Sequence, residues 1–378
     1  MRLALVHDWL NQVGGAEDVL AELVRMYAGV PVYTSIYDPR AMPAYYQDWD
    51  IRTLWLDRLP GIHKRHQPFL PLYPLAWGGL DLSRYDVVLS NKSGFCHGFR
   101  SAPHTLHICY CLAPTRYVWQ LDNYIEREGL GRAAQMSLRP LVAGLKRWDY
   151  AAAQRVDYFI AISTEIQQRI QTYYDRDSVI IYPPVDVARF NKPQVEPEDY
   201  YLVVSRLVPY KSIDLAVQAA TRLGVPLKVG GKGRDIDRLR ELAGPTVEFL
   251  GYIADDQLPE LMARCKAFIF PGLEDFGITP VQAQAAGRPV IAYGGGGALD
   301  TVLPGVTGEH FHELTVDSLV AVMESFDASA YDPAALRAHA ARFDRGLFER
   351  QIKAFVDGAF HAFQREQPFV WQPPDEMA

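Results

Sequence analysis

A regular alternation between residues 200 and 292 constrains this chain more than any other feature. Apolar runs at 200–205, 227–229, 247–250, 267–270 and 290–292 are separated by segments of helical spacing at 212–223, 236–242, 256–264 and 280–286. Strands that recur with a helix between them imply βαβ crossovers, which make the strands parallel and cover both faces of the sheet. Sheets of this kind bind ligands at the carboxyl ends of their strands. The loops that follow residues 205 and 270 are therefore where chemistry is expected.

The first half reads similarly, with longer insertions. Residues 2–7 form a strand, Gly14 and Gly15 a turn, and Ala16, Val19, Leu20, Leu23 and Val24 one face of a helix. Further strands are expected at 30–35, 85–90, 105–111 and 158–162. Tyr182-Pro183-Pro184-Val185-Asp186, followed by a polar stretch at 191–199, cannot continue a helix and marks a domain boundary. With 378 residues the chain exceeds the length of about 250–300 at which single cores stop growing. The reading is an N-terminal Rossmann-like domain at 1–190 and a second at 191–345. In the segment 346–378, an amphipathic helix at 347–363 returns to the first domain and a loose tail follows from 371 to 378.

A net charge of −7 gives no electrostatic reason to expect nucleic acid as a partner, so any anion site must be local. Cys96, Cys109, Cys111 and Cys265 show neither a CxxC pair nor zinc-ligand spacing, which points to reduced thiols and a cytoplasmic location. The N-terminal apolar run is too short for a signal segment, and no window approaches a membrane span.

Two segments carry chemistry. Ser205-Arg206-Leu207-Val208-Pro209-Tyr210-Lys211-Ser212 follows a strand and places two cations five residues apart. An arginine fork beside a lysine point charge suits a diphosphate, the alternative being a solvated loop with incidental charges. The second segment runs from Pro271 to Gln284. There Thr279 is expected as the N-cap and Pro280 as the first residue of a helix whose free amides attract phosphate. Gly277 permits close backbone approach, and Glu274 can accept hydrogen bonds from sugar hydroxyls. A capped surface helix with an acidic turn is the alternative. His7 and Asp8 end the first strand and either orient an acceptor hydroxyl or cap a turn. Gly294 to Gly297 form either an anion nest or a tight loop.

Together these segments resemble the retaining glycosyltransferases of family 4, and in particular their bacterial mannosyltransferase-like members. The likeness is carried by Gly14-Gly15-Ala16-Glu17, by the run from Tyr110 to Tyr117, by Ser205-Arg206 to Lys211-Ser212, and by Glu274-Asp275-Phe276-Gly277 leading into Ile278 and Thr279. It implies the GT-B fold, in which two Rossmann-like domains face each other across a cleft. It further implies that Arg206 and Lys211 hold the diphosphate of a GDP- or UDP-linked hexose, with Glu274 on the transferred sugar and position 282 on the ribose. Phe249 to Ile253, with Tyr252 and Ile253 among them, would border the base, and Gly14 and Gly15 would let the first helix approach phosphate and sugar. Arg116 and Tyr117 either line the acceptor region or are structural.

The resemblance implies no metal and no cofactor, because protein cations stabilise the departing diphosphate while the acceptor attacks from the face it leaves. The acceptor would be a glycan or a lipid-linked glycan. Residues 58–77 mix Arg58, His63, Lys64, Arg65 and His66 with apolar side chains, as either a surface for peripheral contact at the inner membrane face or an acceptor-lining loop packed on the first domain. Two departures stand out. Gln282 replaces the second glutamate of the family signature, and Leu112 stands where relatives place a histidine. They motivate an alternative, a catalytically weakened sugar-nucleotide-binding protein. Neither Gly14-Gly15 nor Gly230-Gly231-Lys232-Gly233 has the spacing of a dinucleotide fingerprint, which argues against an oxidoreductase.

Overall fold

The computed structural model describes residues 1–120, 132–192 and 195–374. The chain forms two compact units, one of Met1–Tyr182 with Glu349–Ala378 and one of Pro183–Phe348. The proline pair 183–184 begins the second unit.

The first unit holds strands β1 (Leu3–His7), β2 (Val32–Thr34), β3 (Ile51–Thr53), β4 (Val87–Lys92), β5 (Leu106–Cys111), β6 (Tyr158–Ala161) and β7 (Ser178–Ile180). They lie in the order β3-β2-β1-β4-β5-β6-β7, all parallel. Every residue of β1, β4 and β5 is buried, as expected of strands with both faces covered. The three-residue strands β3 and β7 were not expected from sequence; both are short edge strands and partly exposed.

The second unit holds β8 (Tyr201–Val204), β9 (Leu227–Gly230), β10 (Val247–Gly251), β11 (Ala267–Phe270), β12 (Val290–Tyr293) and β13 (Gly308–Phe311). Their order is β10-β9-β8-β11-β12-β13, again all parallel. The helix Ile213–Leu223 packs its apolar face, including Ile213, Ala216, Val217 and Ala220, into the core beneath β8 and β9, and stops at Gly224 in the left-handed conformation. Strand β13 escaped the sequence reading because its middle residues, Glu309 and His310, are polar and half-buried.

Both sheets are doubly wound, with the chain reversing direction between β1 and β4 in one and between β8 and β11 in the other. At each reversal, loops from adjacent strands diverge to opposite faces and leave a crevice for a ligand.

Two expectations need correction. The helix Arg345–Gln364 begins before residue 347, and the tail's first residue is not loose: Trp371 packs tilted against Phe355, as Phe369 before it packs edge-on. Of that tail, residues 375–378 lie outside the described residues. The segment 58–77 contains short helical turns and the helix Tyr73–Gly78, with Tyr73 and Trp77 fully buried and Phe69, Leu70 and Leu72 packed against the core. His66 stacks on Trp9 at 4.6 Å.

Candidate active site

The two segments singled out for chemistry, 205–212 and 271–284, follow β8 and β11, the strands that flank the reversal point of the second sheet. Ser205 leaves β8 with its amide bonded to the carbonyl of Gly230 at 3.1 Å. Arg206 is exposed, and its Nη2 donates to the hydroxyl of Tyr210 at 2.8 Å. Lys211 ends a short turn, Pro209–Lys211, and Ser212 then takes φ of 52°, the left-handed region, before the helix Ile213–Leu223 begins.

The loop after β11 lies directly against this one. A Cβ on Gly272 would stand 2.8 Å from the carbonyl oxygen of Lys211, so a side chain there would push the loops apart. Lys211 Nζ forms an ion pair with Glu274 Oε1, and the two side chains are only 18% and 16% exposed. The structure thus brings Lys211 and Glu274 together at one strand-end crevice, with Arg206 on the same loop as Lys211 and bonded to Tyr210.

The start of the following helix differs from expectation. It spans Ile278–Ala285, and its N-cap is Gly277, not Thr279. Gly277 has φ of 110° and ψ of 72°, a conformation open to glycine and strained for residues with a Cβ. The chain therefore turns into the helix two residues early. Thr279 and Pro280 fall within the first turn, where an amide has no helical acceptor and proline costs nothing. That turn carries no acid, so the positive helix end stays uncompensated by its own residues.

Gly294 to Gly297 form a tight loop against this segment. Gly297 donates to the carbonyl of Glu274 at 2.9 Å, and a Cβ on it would come within 2.1 Å of the Cα of Phe276. Phe276 itself is buried and meets Phe343 edge-on at 5.7 Å. Gln282 is half-buried on the helix. Gln284 is fully buried, with Nε2 on the carbonyl of Thr301 at 2.6 Å and Oε1 paired with His339 Nδ1 at 2.9 Å, so it ties this helix to its neighbours.

Tyr252 and Ile253 follow β10 at the same sheet edge. Ile253 covers Gly230, where a Cβ would meet its Cδ1 at 2.0 Å. Tyr252 is 67% exposed, with the Lys232 ammonium 5.5 Å from its ring centre. Lys232 and Tyr210 were missed by the sequence reading. The available signal was positional: Tyr210 lies between the two cations and Lys232 sits in a glycine run after a strand.

In the first unit, Gly14 is the extended, exposed N-cap of the helix Gly15–Met26. Glu17 and Asp18 occupy the first turn of that helix, so its own acids already meet its positive end. His7 is buried, with Nε2 3.5 Å from Glu17 Oε1 and Nδ1 3.2 Å from Asn91 Nδ2. Asp8 is fully buried and accepts the amides of Ser93, Gly94 and Cys96 at 2.6–2.8 Å. Of the two roles open to Asp8, this is the turn-capping one: its oxygens fasten the end of β1 to the loop after β4. Arg116 opens the short helix Arg116–Trp119, and Tyr117 is half-buried with its hydroxyl 3.4 Å from His66 Nε2. Leu112 is buried and offers no polar atom of its side chain.

A buried polar cluster under the Leu112 loop had no sequence signal. Lys92 is fully buried and donates to the carbonyl of Ala113 at 3.2 Å and to Thr115 Oγ1 at 3.3 Å. The fully buried Asp149 accepts from Thr115, Trp119 and Tyr174 at 2.7–2.8 Å. A lysine closing a strand reads in sequence as a solvated end; only the fold shows it anchoring the loop.

Two doubly wound sheets in one chain, with an arginine, a lysine and a glutamate on the loops at one reversal point, are the architecture expected of a glycosyltransferase of the GT-B class, and the comparisons with known proteins agree. The family model described as "Glycosyl transferases group 1" matches residues 185–341, and that described as "Glycosyltransferase Family 4" matches residues 13–189. The chain belongs to the family 4 glycosyltransferases. It is similar to the alpha-1,3/1,6-mannosyltransferase ALG2 of Dictyostelium discoideum, at 22% identity over 82% of this chain and 85% of that protein. The human protein of the same name is 27% identical over 78% of this chain and 80% of its own. Among solved structures, Anabaena Alr3699/HepE in complex with UDP-glucose has the same fold, with a TM-score of 0.67 at 18% identity, covering 94% of this chain and 99% of that one.

Proposed function

We propose that this glycosyltransferase is a retaining, metal-independent enzyme that moves a hexose, mannose foremost, from a GDP- or UDP-linked donor to a glycan or lipid-linked glycan. The observation that carries the reading is the Lys211–Glu274 pair at the reversal point between β8 and β11, with Arg206 on the loop that carries Lys211. Breaking a glycosyl–phosphate bond leaves positive charge on the sugar ring and negative charge on the diphosphate. Arg206, Lys211 and the amides at the start of the helix Ile278–Ala285 stabilise the second, which is the work a divalent cation does elsewhere. Glu274 accepts hydrogen bonds from sugar hydroxyls. The acceptor oxygen forms its bond to the anomeric carbon from the face the diphosphate leaves, and a phosphate oxygen takes the acceptor proton.

Mannose as the sugar is supported by the names of the two relatives similar over about four fifths of the chain. Peripheral contact with anionic lipid at the cytoplasmic face is supported by the exposed Arg58, Lys64, Arg65 and Leu75 of the segment 58–77. Among the described residues no helix is long and apolar enough to cross a membrane.

The test is turnover of GDP- and UDP-hexoses in EDTA, with the anomeric configuration of the product read by NMR. Release of nucleoside diphosphate with retained configuration, lost in Arg206→Ala, is the expected result. A strict requirement for divalent metal, or an inverted product, would overturn the reading.

A further inference from the structure

Between the two cations of the candidate diphosphate site stands a side chain that touches both. Tyr210 accepts a hydrogen bond from Arg206 Nη2 at 2.8 Å with its hydroxyl, while the ammonium of Lys211 lies 5.5 Å from the centre of its ring. Arg206 is exposed and carries a long side chain whose rotamer freedom is costly to fix at the moment of binding. Lys211 is held on its other side by Glu274.

We infer that Tyr210 is a positioning residue, which sets the Arg206 guanidinium with its hydroxyl and seats the Lys211 ammonium with its ring, so that both cations are presented to one diphosphate. The inference rests on the diphosphate reading above. Its physical content is preorganisation: the anchoring bond restricts Arg206 before the donor arrives, so less conformational entropy is lost on binding. The oxygen of Tyr210 accepts from Arg206 and can still donate its own proton, so holding Arg206 does not use up the phenol's own donor. Tyr210 is half-buried in the turn Pro209–Lys211, and the left-handed Ser212 ends that turn.

The experiment is a mutant cycle on the full chain, with UDP and GDP binding measured by calorimetry and donor KM and kcat by initial rates. Tyr210→Phe, which keeps the ring and removes the hydroxyl, is expected to weaken diphosphate binding and raise donor KM about tenfold, with kcat changed less than twofold. Tyr210→Ala is expected to weaken binding further, since it also removes the surface beneath Lys211. In an Arg206→Ala background, Tyr210→Phe is expected to have no further effect. An equal loss in both backgrounds, or no loss in the wild-type background, would overturn the role of Tyr210. A normal affinity in Arg206→Ala alone would instead overturn the diphosphate reading on which it rests. Thermal midpoints for all variants, expected within a few degrees of wild type, separate positioning from misfolding.

Discussion

Lys211 and Glu274, on loops that follow two different strands, are each other's partner: the ammonium forms an ion pair with the carboxylate, and more than four fifths of each side chain is withheld from solvent. A diphosphate entering beside Lys211 must share or displace that carboxylate. Glu274→Gln removes the competing charge while keeping the shape. Affinity for bare UDP or GDP is expected to rise roughly threefold, as for loss of a modest ion pair. Transfer from the nucleotide sugar is expected to fall roughly thirtyfold, since a charged acceptor for sugar hydroxyls is gone. Calorimetry and initial rates check the pair of effects; weaker binding of the bare nucleotide would contradict the exchange.

Gly297 closes the site from behind. Its φ of −69° suits any residue, so a substitution there tests steric approach alone. Gly297→Ala would drive its methyl into the backbone of Phe276 and is expected to cost about 1–3 kcal/mol, together with a loss of nucleotide affinity. Gly144→Ala is the control: it lies in the helix Arg132–Ala153 with open space around it and is expected to stabilise by up to about 1 kcal/mol. Denaturant unfolding of both variants, with nucleotide titration of the first, decides whether that close approach matters.

Ser212 carries the conformational load of the loop after β8. A left-handed serine costs about 1 kcal/mol or slightly more, and glycine removes that cost. Ser212→Gly is therefore expected to raise stability by up to about 1 kcal/mol in chemical denaturation, while loosening the turn that carries Lys211 and raising donor KM.

The first unit has an acid-sensitive element. Burial against Trp9 pushes the His66 imidazole down to about 4 from its ordinary value of 6.5. The unfolded chain thus binds a proton at this residue at a pH where the folded chain does not. Stability from His66 is complete above pH 6.5 and is lost as pH falls from 6.5 towards 4, at up to about 1.4 kcal/mol per pH unit. His339, lowered by burial to about 4 as well, adds a loss over the same window in the second unit. His66→Phe, which keeps a ring on Trp9, is expected to reduce the first unit's pH dependence by the His66 contribution and to leave that of His97 and His107, which burial also pushes well below the ordinary imidazole value, measured by unfolding between pH 7 and 4.

The long, strongly periodic parts of the second unit were legible in sequence because their strands are buried on both faces and their helices amphipathic. Strands β3 and β7 were not, being short edges with half-exposed residues, and β13 hid behind polar residues. The candidate segments 205–212 and 271–284 stood out because cations and a carboxylate directly follow apolar strands. The helix start was misplaced by two residues, since Thr279-Pro280 is a good local signal and the backbone freedom of Gly277 prevailed. Tyr210, Lys92 and Asp149 escaped notice because their importance lies in contacts across the fold, and nothing in residue type or spacing marks a side chain's partner.

The closing helix has a bearing on how the molecule comes into being. Ile352, Phe355, Val356 and Ala359 are core residues, Phe355 meets Tyr158 of β6 edge-on at 6.1 Å, and Glu349 pairs with Arg25 of the first helix. The unit that leaves the ribosome first therefore lacks part of its interior until the residues after Phe348 have been made, whereas the second unit has all its residues by Phe348. A chain cut short after residue 348 keeps every residue of the second unit and leaves the first with an open wound in its core.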